Sequence, residues 1–364
     1  MKHQLTISTL LLLALFSALA PPAFASTTWY VNGVSGSDGN SCKSPTTACK
    51  TIGHAIALAH SGDTVMVAAA TYFEHLTIGI SLNVLGAATG TTILDGGGNG
   101  RVVIILRIPT ITVVLSRLTI RNGRAIAGPL GGGGFGGGIY NYGTLTINSS
   151  TISGNVATWG CITRPVFCFG GFGGGIYSEG TLIINNSTVS GNVAQTPSRC
   201  VYACDPGNGG GIGNNGTLII SNSTISGNSA PGVVFRPPTG GGIKGSATLQ
   251  NSIVANNYGG NCSGTMTSKG YNMSSDGTCN FSNSGDRNNV TNSMLGTLGN
   301  YGGPTQTIPL LSGSPAIDGG NPSGCTDGNG HLLTTDQRGY PRPNTEDIED
   351  KKGCDMGAYE RQSD

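Results

Sequence analysis

Apolar and polar residues alternate in a short segment that this chain repeats several times. In GGGIYNYGTLTINSSTISGN, residues 136–155, Leu145 and Ile147 alternate with threonines, and Ile152 follows after a polar corner. A period of two residues predicts a β-strand with one face directed inward. We therefore expect two short strands in this segment, separated by a corner.

The same pattern recurs at a nearly constant distance along the chain. Its copies begin at Gly136, Gly173, Gly209 and, in shortened form, Gly240, at offsets of 37, 36 and 31 residues. Aliphatic residues recur at equivalent positions in the copies: Leu182, Ile184, Leu218 and Ile220 in the first strand, and Val189, Ile225 and Ile253 in the second. A fixed period without helical spacing predicts a solenoid, in which each unit buries its apolar face against its neighbours.

An asparagine closes each copy. Asn155, Asn192 and Asn228 occupy this position, and Asn122 is the expected counterpart in an earlier coil. Amide side chains can both donate and accept, so we expect these residues to form hydrogen bonds from coil to coil. A simple surface turn is the alternative for any single copy. The glycine triplets are expected to let the chain turn without a side chain that would crowd the next coil.

The repeats resemble those of right-handed parallel β-helix proteins. The copies GGGIYNYGTLTINSSTISGN, GGGIYSEGTLIINNSTVSGN and GGGIGNNGTLIISNSTISGN carry this resemblance, which covers about residues 90–300. They are also similar to the repeats of bacterial polymorphic outer-membrane and adhesin-like proteins. The resemblance implies an all-β fold, a pectin-lyase-like right-handed parallel β-helix solenoid, of about seven to nine coils.

A helix-containing N-terminal cap with the first strands is expected over residues 26–89. Ile52, Ile56 and Ala59 can share one helical face, Gly62 follows the helix, and Asp63 begins the next strand. A solenoid needs its open end covered, and this segment is placed to cover it. WYVNGVSGSDGNSCKSPTTACKTIGHAIALAHSGDTVMVAAATYFEH also resembles the N-terminal cap of the same secreted β-helix proteins.

Residues 301–364 form the predicted C-terminal cap. SPAIDGGN, TDQRGYPRP and CDMGAYE resemble the choice-of-anchor Q module, in which bacterial surface proteins end. Residues 315–364 contain five basic and ten acidic residues, so this segment is acidic. We expect Arg338 and Arg342 to pair with Asp355 and Glu360 across a cap that a disulfide closes.

The first 25 residues have the pattern of a secretory signal peptide. Lys2 precedes an apolar run, residues 10–20, and a small-x-small site at residues 23–25. We expect an exported protein, secreted or at the cell surface, without a membrane span. Residues 26–364 contain 18 basic and 18 acidic residues, so nucleic acid and anionic membranes are not indicated as partners.

Ten cysteines fall into five couples that are close in sequence: Cys42 and Cys49, Cys161 and Cys168, Cys200 and Cys204, Cys262 and Cys279, and Cys325 and Cys354. An export signal implies an oxidising compartment, so we expect disulfides within these couples. Spacing alone does not fix the connectivity. Metal binding is the alternative, and it is disfavoured because no histidine lies near the closely spaced couples.

Catalysis is not the favoured interpretation. A glycosidase needs two carboxylates facing one sugar, and a polysaccharide lyase commonly needs carboxylates that hold calcium, with a basic residue. Between residues 126 and 260 the only acids are Glu179 and Asp205, in different parts of their coils. The histidines 54, 60, 75 and 331 lie apart from any nucleophile constellation. A polysaccharide lyase or glycoside hydrolase acting on acidic polysaccharide stays an alternative, and no catalytic residue is assigned.

The segments inserted between the copies carry the candidate binding residues. Insertions at one position of every coil emerge on one side and line up. These insertions contain arginines with aromatic residues nearby: Trp159, Arg164, Phe167, Phe169, Phe172, Arg199, Tyr202, Phe235 and Arg236. We expect this loop edge to bind an extracellular polysaccharide or a cell-surface partner, without catalysis, in the manner of an adhesin. Aromatic rings would stack on sugars, and arginines would bind carboxylates or sulfates.

Two alternatives stay open for these loops. The aromatic side chains can instead pack against the solenoid wall while the arginines keep the loops soluble. The whole protein can also be a passive structural component of an envelope or matrix.

Two further motifs concern ligands and modification. Asp327 and Asn329 are oxygen donors at alternate positions, as in calcium loops, but the distal glutamate of a full EF-hand loop is missing. Calcium is therefore the one cofactor that the sequence suggests, and none is required. Asn148, Asn186 and Asn222 begin Asn-x-Ser or Asn-x-Thr triplets, where glycosylation is one interpretation and turn hydrogen bonding is the other.

Overall fold

The protein is a right-handed parallel β-helix, as the repeats predict. The computed structural model describes residues 26–128, 133–163, 166–198, 204–233, 236–237, 239–343 and 353–362. The predicted signal peptide, residues 1–25, lies outside these ranges. Within them, three parallel sheets of nine, seven and eight strands run along the solenoid. No helix in the described ranges has the length and hydropathy to cross a membrane.

The first sheet has nine strands, in this order along the stack: β1 (Thr28–Val31), β2 (Asp63–Val67), β5 (Leu82–Gly86), β8 (Thr112–Ser116), β12 (Thr144–Asn148), β18 (Thr181–Asn185), β22 (Thr217–Ser221), β25 (Ala247–Gln250) and β28 (Met266–Ser268). Each strand pairs with its equivalent in the adjacent coils. Leu145 is therefore in register with Leu182, which is in register with Leu218. All three side chains are buried, and they form one column of the core.

The second sheet has seven strands: β4 (Leu76–Ile78), β7 (Val103–Ile105), β11 (Ile139–Asn141), β17 (Ile176–Ser178), β21 (Ile212–Asn214), β24 (Ile243–Lys244) and β27 (Cys262–Ser263). The third sheet has eight: β3 (Ala70–Tyr72), β6 (Thr92–Asp95), β9 (Thr119–Arg121), β13 (Thr151–Ser153), β19 (Thr188–Ser190), β23 (Thr224–Ser226), β26 (Ile253–Ala255) and β29 (Met273–Ser274). Each coil thus passes from the second sheet to the first and then to the third.

Two small sheets lie where the chain leaves the third sheet. One is parallel and continues the stack: β10 (Arg124–Ala125), β14 (Val156–Ala157) and β20 (Val193–Ala194). The other is an antiparallel hairpin within one insertion, formed by β15 (Gly160–Thr163) and β16 (Val166–Phe169).

The second column of aliphatic residues follows the prediction for three copies and departs from it in the fourth. Ile152, Val189 and Ile225 are in register and buried. Ile253 pairs with Thr224, and it is Val254 that is in register with Ile225. The predicted equivalence of Ile253 is therefore wrong by one residue, and a shift of one residue moves a strand side chain to the other face.

This shift gives Ile253 a different role. Its side chain packs with Met273, Leu310 and Met356 in a second apolar cluster, separate from the core of the coils. Residues of the C-terminal segment contribute to this cluster, so the shortened coil helps to hold that segment.

The asparagine ladder is present. Asn155 Nδ2 donates to Asn192 Oδ1 at 2.9 Å, Asn192 to Asn228 at 2.9 Å, and Asn228 to Asn257 at 3.0 Å. These amides are buried, so each satisfies its neighbour where water cannot reach.

Asn122 is not part of this ladder. Because Arg124 pairs with Val156, Gly123 is the residue that aligns with Asn155, and its N–H donates to Asn155 Oδ1 at 2.8 Å. Asn122 aligns with Gly154, and both have positive φ, a conformation that asparagine tolerates. The amide of Asn122 donates to Asp95 instead.

The N-terminal cap contains the predicted helix, α1 (Ile52–Leu58), after a 3₁₀ turn at Pro45–Thr47. The Thr51 side chain accepts from the His54 N–H and caps the helix. Ile52 is buried in the core, Ile56 and Ala59 pack against it, and Asp63 begins β2 as expected. A disulfide joins Cys42 to Cys49 in the preceding loop.

The predicted C-terminal cap, as far as the structure describes it, packs along the side of the solenoid. Residues 301–343 and 353–362, the lateral segment, lie along the corner between the first and third sheets. Asn186 Nδ2 donates to Thr335 O at 3.1 Å, Asn222 Nδ2 donates to Thr326 O at 2.5 Å, and the Asn321 N–H donates to Asn251 Oδ1 at 3.0 Å. The lateral segment therefore supports the side of several coils.

The end of the core is closed by an earlier segment. Cys262 and Cys279 form a disulfide, and both pack with Phe281 against the aliphatic core of the coils. Covering the last coil removes its apolar face from water, which a solenoid requires.

Four of the predicted disulfides lie within the described residues, joining Cys42–Cys49, Cys161–Cys168, Cys262–Cys279 and Cys325–Cys354. Cys204 is also disulfide-bonded, while Cys200 lies outside the described ranges. Each of these four disulfides therefore closes a short loop of the chain.

The predicted ion pairs of the C-terminal segment are half correct. Arg342 Nε lies 2.9 Å from Glu360 Oε2, as expected, with both side chains buried. Arg338 pairs instead with Asp336, two residues away, at 2.8 Å, and its guanidinium lies against the Tyr359 ring. Asp355 accepts from the backbone N–H groups of Asp318 and Arg361.

Candidate functional site

The insertions leave the solenoid from one flank, as predicted. Parallel bridges join Phe135 to Phe172, Phe172 to Asn208, and Asn208 to Thr239, so successive insertions rejoin their coils at stacked positions. The bridge from Cys168 to Cys204 extends this stacking into the insertions themselves.

The predicted binding residues are only partly within the described structure. Trp159 is half-buried next to the hairpin, and the Phe167 ring packs on Phe169 with centroids 4.6 Å apart. Arg236 forms an ion pair with Asp205 of the preceding insertion. The other four lie outside the described residues: Arg164, Arg199, Tyr202 and Phe235. The one described arginine of the proposed row is therefore already bound to a carboxylate.

A group of aromatic and charged residues covers the outer face of the second sheet. Tyr140 and Tyr177 are in register on β11 and β17, flanked by Ile139 and Ile176, which face the core. Alternation along the strand directs the tyrosines outward. We call this group the tyrosine face, and it consists of Arg101, Arg107, Phe135, Tyr140, Tyr142, Phe172, Tyr177 and Glu179.

The rings of the tyrosine face contact one another. Tyr140 stacks on Tyr142 with centroids 4.2 Å apart, and Tyr177 lies edge-on to Tyr140 at 5.0 Å. Phe135 and Phe172 lie 4.9 and 5.3 Å from Tyr177, and they bury it almost completely. Such offset and edge-to-face pairs are the preferred arrangements of aromatic side chains. The rings therefore form a continuous platform.

Charged groups border this platform. Glu179 accepts a hydrogen bond from the Tyr140 hydroxyl at 2.9 Å and forms an ion pair with Arg107. The Arg107 guanidinium lies 5.0 Å from the Tyr142 ring centroid, and its side chain is 71% exposed. Arg101 lies 5.3 Å from the Tyr140 ring. Both cations are positioned over aromatic faces, where the ring quadrupole attracts them.

Tyr140 and Tyr177 stay protonated at neutral pH. Burial, together with hydrogen bonds to Tyr142 and Glu179, raises the pKa of Tyr140. Burial, followed by the charge of Glu179, raises the pKa of Tyr177 to about 12. Both hydroxyls therefore keep their protons, and the Tyr140 hydroxyl uses its proton in the hydrogen bond to Glu179.

A groove of about 350 Å³ runs beside the tyrosine face, where the chain turns from the second sheet to the first. Residues 108–111, Tyr142 and Glu179 line this groove. Gly143 and Gly180 line it as well, and a Cβ on Gly180 would lie 2.0 Å from the Gly143 carbonyl oxygen. The turns therefore stack in direct contact, without side chains that would fill the groove.

Hydroxyl groups line the same groove. Thr144, Thr181 and Thr217 are in register on three successive coils. Neighbouring strands are spaced about 4.8 Å apart, so these hydroxyls repeat at that distance along the solenoid axis.

The tyrosine face was not predicted from the sequence. Binding aromatic residues were expected in the insertions, whereas Tyr140 and Tyr177 lie within the constant part of the repeat. The sequence feature that could have indicated these two tyrosines is their equivalent place in two copies of the repeat. Both copies have a tyrosine at an outward position, which the packing of the core does not need. Phe172 was noted as a loop residue, but its ring packs against the wall of the solenoid.

The groove does not contain the groups for two-carboxylate chemistry. Glu179 is the only acid among its described lining residues, and it is already paired with Arg107. Glycoside hydrolysis by the common route needs a second carboxylate across the sugar.

In the predicted calcium loop, the Asp327 carboxylate is bound by groups of the loop itself. Asp327 Oδ1 accepts from the backbone N–H groups of Asn329 and His331, and Oδ2 contacts the His331 ring. Among the described residues, only Cys42, Cys49 and His54 cluster closely enough to suggest a metal, so the expectation that no histidine lies near the closely spaced cysteines is wrong for this couple. Those two cysteines form a disulfide, as expected.

Comparison with known proteins gives distant structural similarities. The sequence matches no protein-family model and no curated protein. A GH136 lacto-N-biosidase from Eubacterium ramulus is similar in structure, with 12% identity and a TM-score of 0.32, over 68% of this chain and 56% of that one. The chain thus spans little more than half of that protein. The pectate lyase Pel9A has 14% identity and a TM-score of 0.34, over 93% of this chain and 98% of that one.

Proposed function

We propose that this protein binds an extracellular glycan on the tyrosine face and in the adjoining groove, without catalysis. The observation that carries the proposal is the stacked pair of Tyr140 and Tyr142, which lies outside the core with the exposed Arg107 guanidinium beside it. Nothing in the packing of the solenoid interior requires aromatic residues at these outward positions.

The chemistry of the platform suits a sugar. A pyranose ring has an apolar face that stacks on tyrosine or phenylalanine, and its hydroxyls need donors and acceptors at the rim. Tyr142, Arg107 and Glu179 supply a ring, a cation and an acceptor within one contact network. The threonine hydroxyls of the groove repeat with the strand spacing, which suits an extended chain lying along the axis.

The insertions border the same face. Phe135 and Phe172 lie at the points where two insertions rejoin their coils, and their rings belong to the platform. The loop edge predicted from the sequence is thus an extension of this surface, with recognition spread over both. We further propose that the protein is exported and that the lateral segment is a choice-of-anchor Q type module.

Glycan binding is tested with Tyr142→Ala. The wild-type protein is screened on an array of neutral, uronate-containing and sulfated glycans, and the best-bound oligosaccharide is then titrated by calorimetry. Removing a ring that stacks on the sugar is expected to weaken binding by about tenfold, or about 1.4 kcal/mol.

Tyr258→Ala is the matched control. Tyr258 is 67% exposed and is not a member of the tyrosine face, so its removal should leave the affinity unchanged. Equal affinity of Tyr142→Ala and the wild type would overturn the proposal. Release of reducing sugar or unsaturated product by the wild type would instead establish the enzymatic alternative.

A further inference from the structure

A second cleft lies on the insertion flank, nearer the N-terminus. It has a volume of about 430 Å³ and is lined by Phe73, Asp95, Asn122 and Arg124, among other residues. These side chains come from successive coils, at the places where the chain leaves the third sheet. Glycines 97, 98 and 154 also line the cleft and leave its interior open. We call it the Phe73 cleft.

The aromatic residue of this cleft is unusually accessible. Phe73 is 74% exposed, whereas Phe135 and Phe172 of the tyrosine face are partly covered by their neighbours. In the described part of the chain, the Phe73 ring contacts no other aromatic ring. An apolar ring held in water at the mouth of a cleft costs hydration free energy, and a ligand that covers it would recover that cost.

The acid of this cleft is already neutralised. Asp95 is buried, and its Oδ2 accepts from Arg121 Nε and Asn122 Nδ2, each at 2.8 Å. Burial alone would raise the pKa of Asp95, but hydrogen bonds from Gly97, Arg121 and Asn122 outweigh it and lower the pKa. The Asp95 carboxylate therefore adds no uncompensated charge to the cleft.

The cation of this cleft is not neutralised. Arg124 is exposed, and among the described residues no carboxylate forms an ion pair with it. Arg121 balances Asp95, so Arg124 leaves the cleft with a net positive charge. A guanidinium with an open side binds a carboxylate or sulfate through paired N–H donors.

We propose that the Phe73 cleft binds an acidic sugar residue, with the Phe73 ring against its apolar face and the Arg124 guanidinium on its carboxylate or sulfate. Asn122 Oδ1 lies in the same cleft as an acceptor for a sugar hydroxyl. The site is separate from the tyrosine face, and it extends the proposed function by naming the class of sugar. A glycan carrying both neutral and acidic residues would then contact the two sites.

The test uses a uronic-acid trisaccharide and its neutral hexose counterpart as probes, titrated by calorimetry. All titrations use the Tyr142→Ala protein, in which the tyrosine face is weakened. Arg124→Gln should reduce the affinity for the uronate by about tenfold and leave the affinity for the neutral probe unchanged. Phe73→Ala should weaken both probes.

Ile126→Ala is the matched control, because Ile126 is 61% exposed and lies two residues from Arg124 without lining the cleft. Uronate affinity should also fall with added salt, and this dependence should disappear in Arg124→Gln. Uronate binding that Arg124→Gln leaves unchanged would overturn the inference.

The two proposals fail separately. If Tyr142→Ala does not change glycan binding in the wild-type background while Arg124→Gln weakens uronate binding about tenfold, the tyrosine face is wrong and the Phe73 cleft stands. If Tyr142→Ala weakens glycan binding while Arg124→Gln leaves it unchanged, the Phe73 cleft is wrong and the tyrosine face stands. The substitutions at Tyr142, Arg124 and Phe73 are at half-buried or exposed side chains. An unchanged melting temperature therefore shows that each variant is folded.

Discussion

Arg342 Nη1 donates a hydrogen bond to Asn186 Oδ1 at 3.2 Å, although 156 residues separate the two in sequence. Asn186 has a positive φ, as do Asn222 and Asn251 at the same corner of the following coils. All three asparagines bind the lateral segment through their side chains. The corner of the solenoid thus provides a second column of asparagines, outside the core, that holds the C-terminal part of the chain.

For Asn186 and Asn222, this second column decides between glycosylation and hydrogen bonding as the role of the Asn-x-Ser and Asn-x-Thr triplets. Asn186 and Asn222 are buried, and their amide nitrogens donate to backbone carbonyls of the lateral segment. These nitrogens are therefore engaged and shielded in the folded protein. Hydrogen bonding is the role that the structure gives to both residues.

Arg342→Ala is expected to lower the free energy of unfolding by about 3–5 kcal/mol. The substitution removes the guanidinium that pairs with Glu360, whose side chain is buried, and it also removes the bond to Asn186. Urea unfolding followed by circular dichroism measures the change. Lys269→Ala at an exposed position should cost less than about 0.5 kcal/mol, and equal effects of the two variants would contradict the account of the lateral segment.

The stability of the protein should fall as the pH rises from about 4 to about 7. Burial and the neighbouring charge of Glu360 raise the pKa of Asp355 from 3.8 to about 7. Between these values the folded protein holds a proton that the unfolded chain releases, so the free energy of unfolding decreases with pH.

Asp355→Asn should flatten this pH dependence, because an amide does not ionise in this range. Asp205→Asn, at a carboxylate that is 36% exposed, is the matched control and should keep the wild-type slope. Melting temperatures in buffers at pH 4, 5, 6 and 7 give the comparison. A wild-type slope in Asp355→Asn would show that another group is responsible.

The internal asparagine ladder should be sensitive to a single break. Asn192 Oδ1 accepts from both the backbone N–H and the side-chain amide of Asn155, and Asn192 Nδ2 donates to Asn228. Asn192→Ala leaves these buried groups without partners, at a cost of about 1–3 kcal/mol for each.

Asn329→Ala provides the comparison for the ladder, since Asn329 is exposed on the lateral segment. Its effect on urea unfolding should stay within about 0.5 kcal/mol. If Asn192→Ala proves as stable as Asn329→Ala, water must satisfy the hydrogen bonds that the substitution breaks in the ladder.

Removing each of two disulfides should affect the exposure of the apolar core differently. Replacing Cys262 and Cys279 by alanine removes the staple that holds Phe281 over the end of the core, and should cost about 3 kcal/mol and expose apolar surface to a fluorescent dye. The matched pair is Cys161 and Cys168, which closes a hairpin outside the core. Its replacement should leave dye binding at the wild-type level, and increased dye binding there would contradict this division.

The sequence predicts the regular part of the fold well, because one physical rule repeats. Leu145, Leu182 and Leu218 stack because each coil must bury the face that its neighbour leaves open. Ile253 does not follow this rule because its coil is shorter. The register of a short strand depends on the residues that pack beside it.

The position of the lateral segment and the tyrosine face were harder to foresee. The lateral segment is held by side chains from several coils, such as Asn186 and Asn251, whose common corner exists only after the solenoid has formed. The tyrosine face likewise joins Arg107 to Glu179, residues 72 positions apart. Such contacts follow from the folded geometry, and no local pattern encodes them.

The stacked glycine turns bear on how the length of this protein can vary. Gly143 and Gly180 touch through their backbones, so a side chain added at either turn would push two coils apart. An addition on the insertion flank displaces only itself, because the strands that follow keep their register. Lineages of this chain can therefore lengthen or exchange a flank loop in a single genetic step, while the close contact of Gly143 on Gly180 restricts which residues those turns can accept.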